Sequence, residues 1–169
     1  LVSYDYSDIF RLSTYFLFYQ PDYRQFRWAF IGTPLQKDDL RHFKFSVPYL
    51  QLINSITDKG IRRTVTEYYK DMGLFFKNAN YNLKENGRLI MIVGDTKLRG
   101  VKIPNAHPLT EIANRFGWTI KKVYERVIPV KILPTFRDAI SGRFTNRDNP
   151  NCSERYNKEY ILIFRRKSK

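Results

Sequence analysis

The stretch TVTEYYKDMGLFFKNANYNLKENGRLIMIVGD constrains the fold more than any other part of the chain. Its apolar residues recur at helical spacing over 64–83, and Thr64 and Glu67 have the spacing of a capping box. Asn86-Gly87 then supplies a left-handed stop, and 89–93 is an unbroken apolar run. Such a run is typical of a parallel strand covered on both faces, so the stretch predicts a helix that feeds the sheet of an α/β domain.

The rest of the chain predicts a small set of further elements. Helical periodicity predicts helices over 7–19, 48–57 and 107–116, and apolar runs predict strands over 88–93, 118–128 and 159–164. Residues 129–157 are turn-rich and basic, and we expect them to form a loop excursion before the last strand. This order of elements favours one half of a three-layer α/β domain, whose open sheet would expose an unpaired edge and apolar faces.

The first residues also suggest a half domain. The opening LVSYDYSDIFRLSTYF brings several aromatic residues at once, whereas a free amino terminus is usually polar and loosely held. We therefore expect the amino-terminal half of the domain to precede Leu1 and to be a partner of residues 1–169.

The charge of the chain indicates a second partner. Lys and Arg together number 30 against 16 Asp and Glu, which gives a formal net charge of +14. An excess of this size is expected of a protein that binds a polyanion, so nucleic acid or a phosphate-rich ligand is favoured over an inert basic surface or a ribosome-associated protein.

Several other classes of protein are disfavoured. A single cysteine, Cys152, excludes an internal disulfide framework, and His42 and His107 lack a second ligand at metal-binding spacing. No apolar run approaches the ~20 residues of a spanning helix, and the opening lacks the pattern of a signal peptide. We expect a cytoplasmic protein without a membrane or metal partner.

Four stretches carry a resemblance to a known family. NLKENGRLIMIVGD resembles the step into the fifth strand of S-adenosylmethionine-dependent methyltransferases, and VSYDYSDIFRLSTYF resembles the segment after the catalytic tetrapeptide of DNA amino-methyltransferases. RVIPVKILPTFRDAISGRFTN and NKEYILIFRRK resemble the basic hairpin and the last strand of the same enzymes. The resemblance implies transfer of a methyl group to N4 of cytosine or N6 of adenine in DNA. It implies a Rossmann-like three-layer sandwich in which the strand over 159–164 runs antiparallel between the other two.

Two motifs of that family are missing from the chain. The catalytic Ser/Asp/Asn-Pro-Pro-Tyr tetrapeptide would end just before Leu1. The most similar stretch within the chain, SVPY at 46–49, lacks the first proline. No two glycines stand as Gly-x-Gly, the turn that lets a backbone approach the cofactor. The resemblance therefore implies the C-terminal part of an enzyme. S-adenosylmethionine would bind the full-length protein, and this part would contain no catalytic residue and be inactive alone.

The candidate site residues fall into two groups. The first group would lie at the carboxyl edge of the sheet, where open α/β sheets bind ligands, and consists of Tyr4, Asp5 and Asp95. These residues could line the substrate pocket, or they could serve only as turn, cap and core residues. The second group consists of basic residues that could contact nucleic-acid phosphates or face solvent: Lys97, Arg99, Lys102, Lys131, Arg137 and Arg143. The last three belong to the excursion, and the run 121–147 contains seven basic and two acidic residues.

Two alternative functions remain open at this point. One is an RNA methyltransferase that shares the fold and the tetrapeptide, and the other is a basic nucleic-acid-binding module without catalysis. The sequence upstream of Leu1 discriminates between them, because a Gly-x-Gly turn and a Pro-Pro-Tyr motif there would indicate an enzyme.

Overall fold

A computed structural model describes residues 31–32, 47–98, 101–128, 136–154 and 157–168. The architecture is mixed α/β with small antiparallel sheets. The chain divides into two compact units between Met72 and Gly73, inside a long helix, and each unit is described by itself. The helix expected over 7–19 lies outside the described residues.

The first unit contains helix α1, Val47–Ser55, and the first half of helix α2, Lys59–Asn82. Asp58 caps α2, because its Oδ1 accepts a hydrogen bond from the backbone N–H of Ile61 at 2.9 Å. The capping box expected at Thr64 is therefore wrong, and Thr64 instead lies inside the helix, where its hydroxyl donates to the carbonyl of Gly60. The buried core of this unit is rich in tyrosine, and the rings of Tyr49 and Tyr69 meet edge to face at 4.8 Å.

The second unit begins with the end of α2 and then carries the sheets. Asn86, at φ 59°, makes the expected left-handed turn into the first strand. The elements that follow, in chain order, are β1 Arg88–Gly94, β2 Thr96–Leu98, β3 Val101–Ile103, α3 Ala106–Arg115, β4 Trp118–Val127, β5 Phe136–Asp138, β6 Phe144–Thr145, β7 Cys152–Glu154 and β8 Lys158–Arg166. Gly117 ends α3 at φ 81°, as the sequence predicted.

The main sheet has the strand order β1-β8-β4. β8 runs antiparallel to both neighbours, with Ile161 opposite Ile92 on one side and Tyr124 on the other. β1 and β4 are therefore parallel to each other, and α3 lies between them in the chain. This confirms the prediction that the last strand lies antiparallel between the other two.

One face of the main sheet, the inner face, forms the core of the second unit. Leu162 and Phe164 are fully buried there, and the ring of Phe164 lies 5.7 Å from that of Phe76 on α2. Trp118 is also fully buried, and its indole N–H donates to the carbonyl oxygen of Phe76 at 3.0 Å. α3 contributes Leu109 and its neighbours to the same core, so the C-terminal part of α2 and helix α3 cover this face.

The opposite face, here called the outer face, is apolar but open to solvent. Ile90 and Ile92 of β1 are 60% and 59% exposed, while Ile161 and Ile163 of β8 lie beside them. Within the described residues β1 also has no strand on its second edge. The expectation that both faces of the apolar run 89–93 are covered is therefore wrong for the described part of the chain.

The excursion between β4 and β8 contains a second sheet, whose strands have the order β6-β5-β7. β5 and β6 form a hairpin within the stretch that resembles the family's basic hairpin, and β7 adds a third strand. The stretch TKLRGVKIPN contains the β2–β3 hairpin. Both sheets have strands of only two or three residues, too short to leave an alternating pattern in the sequence.

Candidate nucleic-acid interface

One end of the main sheet gathers most of the described candidate residues. The carboxyl end of β1 lies at this end, because Gly94 is opposite Glu159 near the start of β8, and Glu159 is opposite Arg126 near the end of β4. The β2–β3 hairpin leaves from β1 and the excursion leaves from β4, so both begin at the same edge. Carboxyl edges of parallel strands are the usual ligand-binding side of open α/β sheets.

Asp95 fixes the geometry of this edge. Its Oδ1 accepts a hydrogen bond from the backbone N–H of Asn105 at 3.1 Å, and its Oδ2 lies 3.8 Å from Nζ of Lys102. Asn105 is almost fully buried, and its side-chain amide donates to the carbonyl oxygen of Gly94 at 2.7 Å and to the Thr96 hydroxyl at 3.3 Å. Asp95 and Asn105 therefore tie the hairpin to the start of α3, which favours a positioning role for Asp95 over contact with a substrate.

The β2–β3 hairpin presents two cations side by side. Lys97 and Lys102 are directly opposite each other across the strands, and both are exposed. Like charges in this position repel, so an anion placed between or above the ammonium groups would stabilise the pair. Lys102 has Asp95 as a partner, whereas Lys97 has no carboxylate partner among the described residues. A phosphate group has the charge and the acceptor oxygens that this pair requires.

The arginines of the excursion do not all face solvent. The Arg137 guanidinium donates to the carbonyl oxygen of Gly142 at 2.6 Å and lies 4.3 Å from the centre of the Phe144 ring. The β5–β6 hairpin therefore uses the Arg137 side chain internally, which disfavours it as a phosphate contact. Arg143 is exposed, and its side chain has no partner among the residues that the structure describes.

Asp138 holds the turn between β5 and β6. Its Oδ1 accepts hydrogen bonds from the backbone N–H groups of Ser141 at 2.7 Å and Ile140 at 2.9 Å, and its Oδ2 accepts one from the Asn149 amide at 2.9 Å. The Ser141 backbone N–H and then the Asn149 side chain lower the pKa of Asp138 below its ordinary 3.8. The carboxylate is thus ionised at neutral pH, and its charge is occupied inside the turn.

Acidic residues balance or pair with many of the basic residues near this edge. Within 136–154 three arginines are balanced by three acidic residues, Asp138, Asp148 and Glu154. At the ends of β4 and β8, Arg126 is paired with Glu159, and Lys158 donates to Glu125 at 2.6 Å, which raises the pKa of Lys158. Lys97 and Arg143 are exposed without a carboxylate partner among the described residues, and Lys102, which has Asp95 at 3.8 Å, is also exposed.

Several candidate residues lie outside the described residues: Tyr4, Asp5, Arg99 and Lys131. Sequence reasoning missed Asn105, and a lone asparagine between proline and alanine gave no signal for its buried role.

The described residues offer no metal site. They contain no group of three or more His, Cys, Asp or Glu side chains placed to hold a metal ion. Among them, no helix has both the length and the apolar character needed to cross a membrane. The sequence also lacks a Gly-x-Gly turn, the feature that lets a backbone approach a nucleotide cofactor.

Comparisons with known proteins add no relative. No protein-family model, no curated protein and no solved structure matches this chain.

Proposed function

We propose that this chain is the C-terminal part of an S-adenosylmethionine-dependent DNA amino-methyltransferase. The observation that carries the proposal is the strand order β1-β8-β4, with β8 antiparallel to two mutually parallel strands and α3 between those two in the chain. The resemblance to the family required this order, and apolar runs alone could not supply it. The proposal includes a Rossmann-like three-layer fold for the whole domain and a cytoplasmic location for the enzyme.

The open outer face supports the idea that a further polypeptide completes the domain. Ile90 and Ile92 expose aliphatic surface on a strand whose second edge is unpaired within the described residues. Contiguous apolar surface of this kind marks an interaction site, and an unpaired strand edge invites another strand. The amino-terminal part of such a domain would cover the face, pair with β1 and supply the cofactor site and the catalytic tetrapeptide.

This chain would contribute the substrate side of the reaction. Lys97, Lys102 and Arg143 would bind phosphates, while Asp95 and Asn105 keep the hairpin in place. Phosphate contacts fix register and orientation on the duplex without reading its sequence. The target base would leave the stack so that its exocyclic amine reaches the methyl group that S-adenosylmethionine supplies.

The test is methyl transfer by the product of the complete coding sequence. With tritiated S-adenosylmethionine, we expect label to enter plasmid DNA and not total RNA. Label in RNA alone would replace this proposal by the RNA methyltransferase. Tight DNA binding without transfer to either substrate would favour the non-catalytic binding module.

A further inference from the structure

The turn between β5 and β6 forms a narrow and rigid tip. Besides the hydrogen bonds to the Asp138 carboxylate, the N–H of Gly142 donates to the Asp138 carbonyl at 2.9 Å, and the Asp138 N–H donates to the Arg143 carbonyl at 2.9 Å. Gly142 adopts φ 73°, and nothing lies within 4 Å of the position where a side chain would begin. Ala139, Ser141 and Gly142 are all small, so the tip is thin around the residue between them.

That residue is Ile140, whose surface is 70% exposed. Turn tips usually carry Gly, Asn, Asp or Ser, because these residues suit the backbone and are well solvated. Ile140 adds little burial to the fold, although its backbone N–H donates a hydrogen bond to the Asp138 carboxylate at 2.9 Å. A stiff aliphatic side chain is thus held away from the small sheet by a turn that keeps it in one place.

The basic residues near this turn favour nucleic acid as the ligand that Ile140 contacts. The excursion leaves the main sheet at the edge that carries Lys97 and Lys102, and the exposed Arg143 follows Ile140 by three residues. Proteins that deform DNA insert aliphatic or aromatic wedges between base steps and hold the flanking phosphates with cations. A flipped base also leaves a gap in the stack that such a side chain can fill.

We infer that Ile140 is a wedge that enters the base stack of duplex DNA. The inference rests on the proposed function and assigns one residue to the step that takes the target base out of the helix. Arg143 would hold a neighbouring phosphate, and Asp138 would keep the tip rigid enough to separate two bases.

The experiment measures DNA unwinding, which needs no knowledge of the recognition sequence. Relaxed plasmid is incubated with the product of the complete coding sequence and topoisomerase, and the change in linking number is read on a gel. We expect the parent to shift the linking number, Ile140→Ala to lose the shift, and Ile140→Leu to retain it. Fluorescence anisotropy should give all three proteins DNA affinities within about twofold, because phosphate contacts supply most of the affinity.

The outcomes separate the wedge from the proposed function. An unchanged shift for Ile140→Ala, or DNA binding by the parent without any shift, would overturn the wedge and leave DNA binding intact. No DNA binding by the folded parent would overturn the proposed function, and the wedge with it. Circular dichroism of each variant shows that a lost shift does not come from unfolding.

Discussion

Replacing Leu162 by alanine in the 169-residue chain tests which face of the main sheet is its core. Leu162 is fully buried on the inner face, whereas Ile92 on the outer face is 59% exposed. Truncating a buried leucine to alanine costs about 2–5 kcal/mol, because transfer energy is lost and a cavity remains. Full burial of a large aliphatic side chain is worth about 1.5–3 kcal/mol, so the two-fifths of Ile92 that is buried corresponds to about 1 kcal/mol. Water fills the space left on an open face, so Ile92→Ala carries no cavity cost.

The assay is equilibrium urea unfolding, followed by circular dichroism and by tryptophan fluorescence. With a typical slope of about 2 kcal/mol per molar urea, Leu162→Ala should lower the midpoint by about 1 M or more, and Ile92→Ala by about 0.5 M or less. Equal losses for the two variants would refute the assignment of inner and outer faces. Disagreement between the two probes would show that the two units unfold separately. In a Trp28→Phe background the fluorescence change of the buried Trp118 would then report on the second unit.

The same two variants, made in the product of the complete coding sequence, test the proposed completion of the domain. If a further polypeptide covers the outer face, Ile92→Ala should then cost about as much as Leu162→Ala, roughly 2–5 kcal/mol. A cost that stays near that in the 169-residue chain would count against the covering polypeptide.

The remaining predictions concern the two lysines of the β2–β3 hairpin, the turn held by Asp138 and the cofactor. Alanine at both Lys97 and Lys102 should lower the slope of log affinity against log salt by about two for any DNA sequence, whereas alanine at the exposed Lys77 of α2 should leave it unchanged. Because the folded-state pKa of Asp138 is lowered, its stabilisation of the β5–β6 turn is complete at neutral pH and is lost as the pH falls through that pKa, below 3.8. An NMR titration of the Ser141 amide should therefore show a transition whose midpoint lies below pH 3.8, and a midpoint near pH 5 or above would contradict the assigned hydrogen bonds. The 169-residue chain alone should show no micromolar binding of S-adenosylmethionine in calorimetry, since it lacks a Gly-x-Gly turn.

Two strands of the main sheet, β1 and β8, could be predicted because each contains an unbroken apolar run, and β4 could be predicted because β-branched and aromatic residues recur along it. β1, β4 and β8 differ from their expected limits by at most two residues at an end. The order of the strands in the sheet could not be predicted from the sequence of each strand, because a strand's sequence does not specify which strands pair with it. The predicted order came from the family resemblance. Helix α2 was predicted to begin five residues too late, since the Asp58 cap was overlooked in favour of a capping box at Thr64.

The candidate site was less predictable, because the function of a cation depends on its partners. Counting charges gave Arg137 and Arg143 equal weight, but the first is tied to Gly142 and Phe144. The β2–β3 hairpin places Lys97 opposite Lys102, and this pairing requires a register that three-residue strands do not encode in their pattern. Ile140 gave no signal either, because an isoleucine in a turn-rich stretch does not reveal whether it is buried.

The most direct measurement is nucleoside mass spectrometry of plasmid DNA incubated with S-adenosylmethionine and the product of the complete coding sequence. The proposed function predicts N4-methylcytosine or N6-methyladenine, formed in proportion to the amount of protein and absent when the cofactor is left out. DNA that gains no methyl group from the folded protein, or gains one only on a ring carbon, would contradict it.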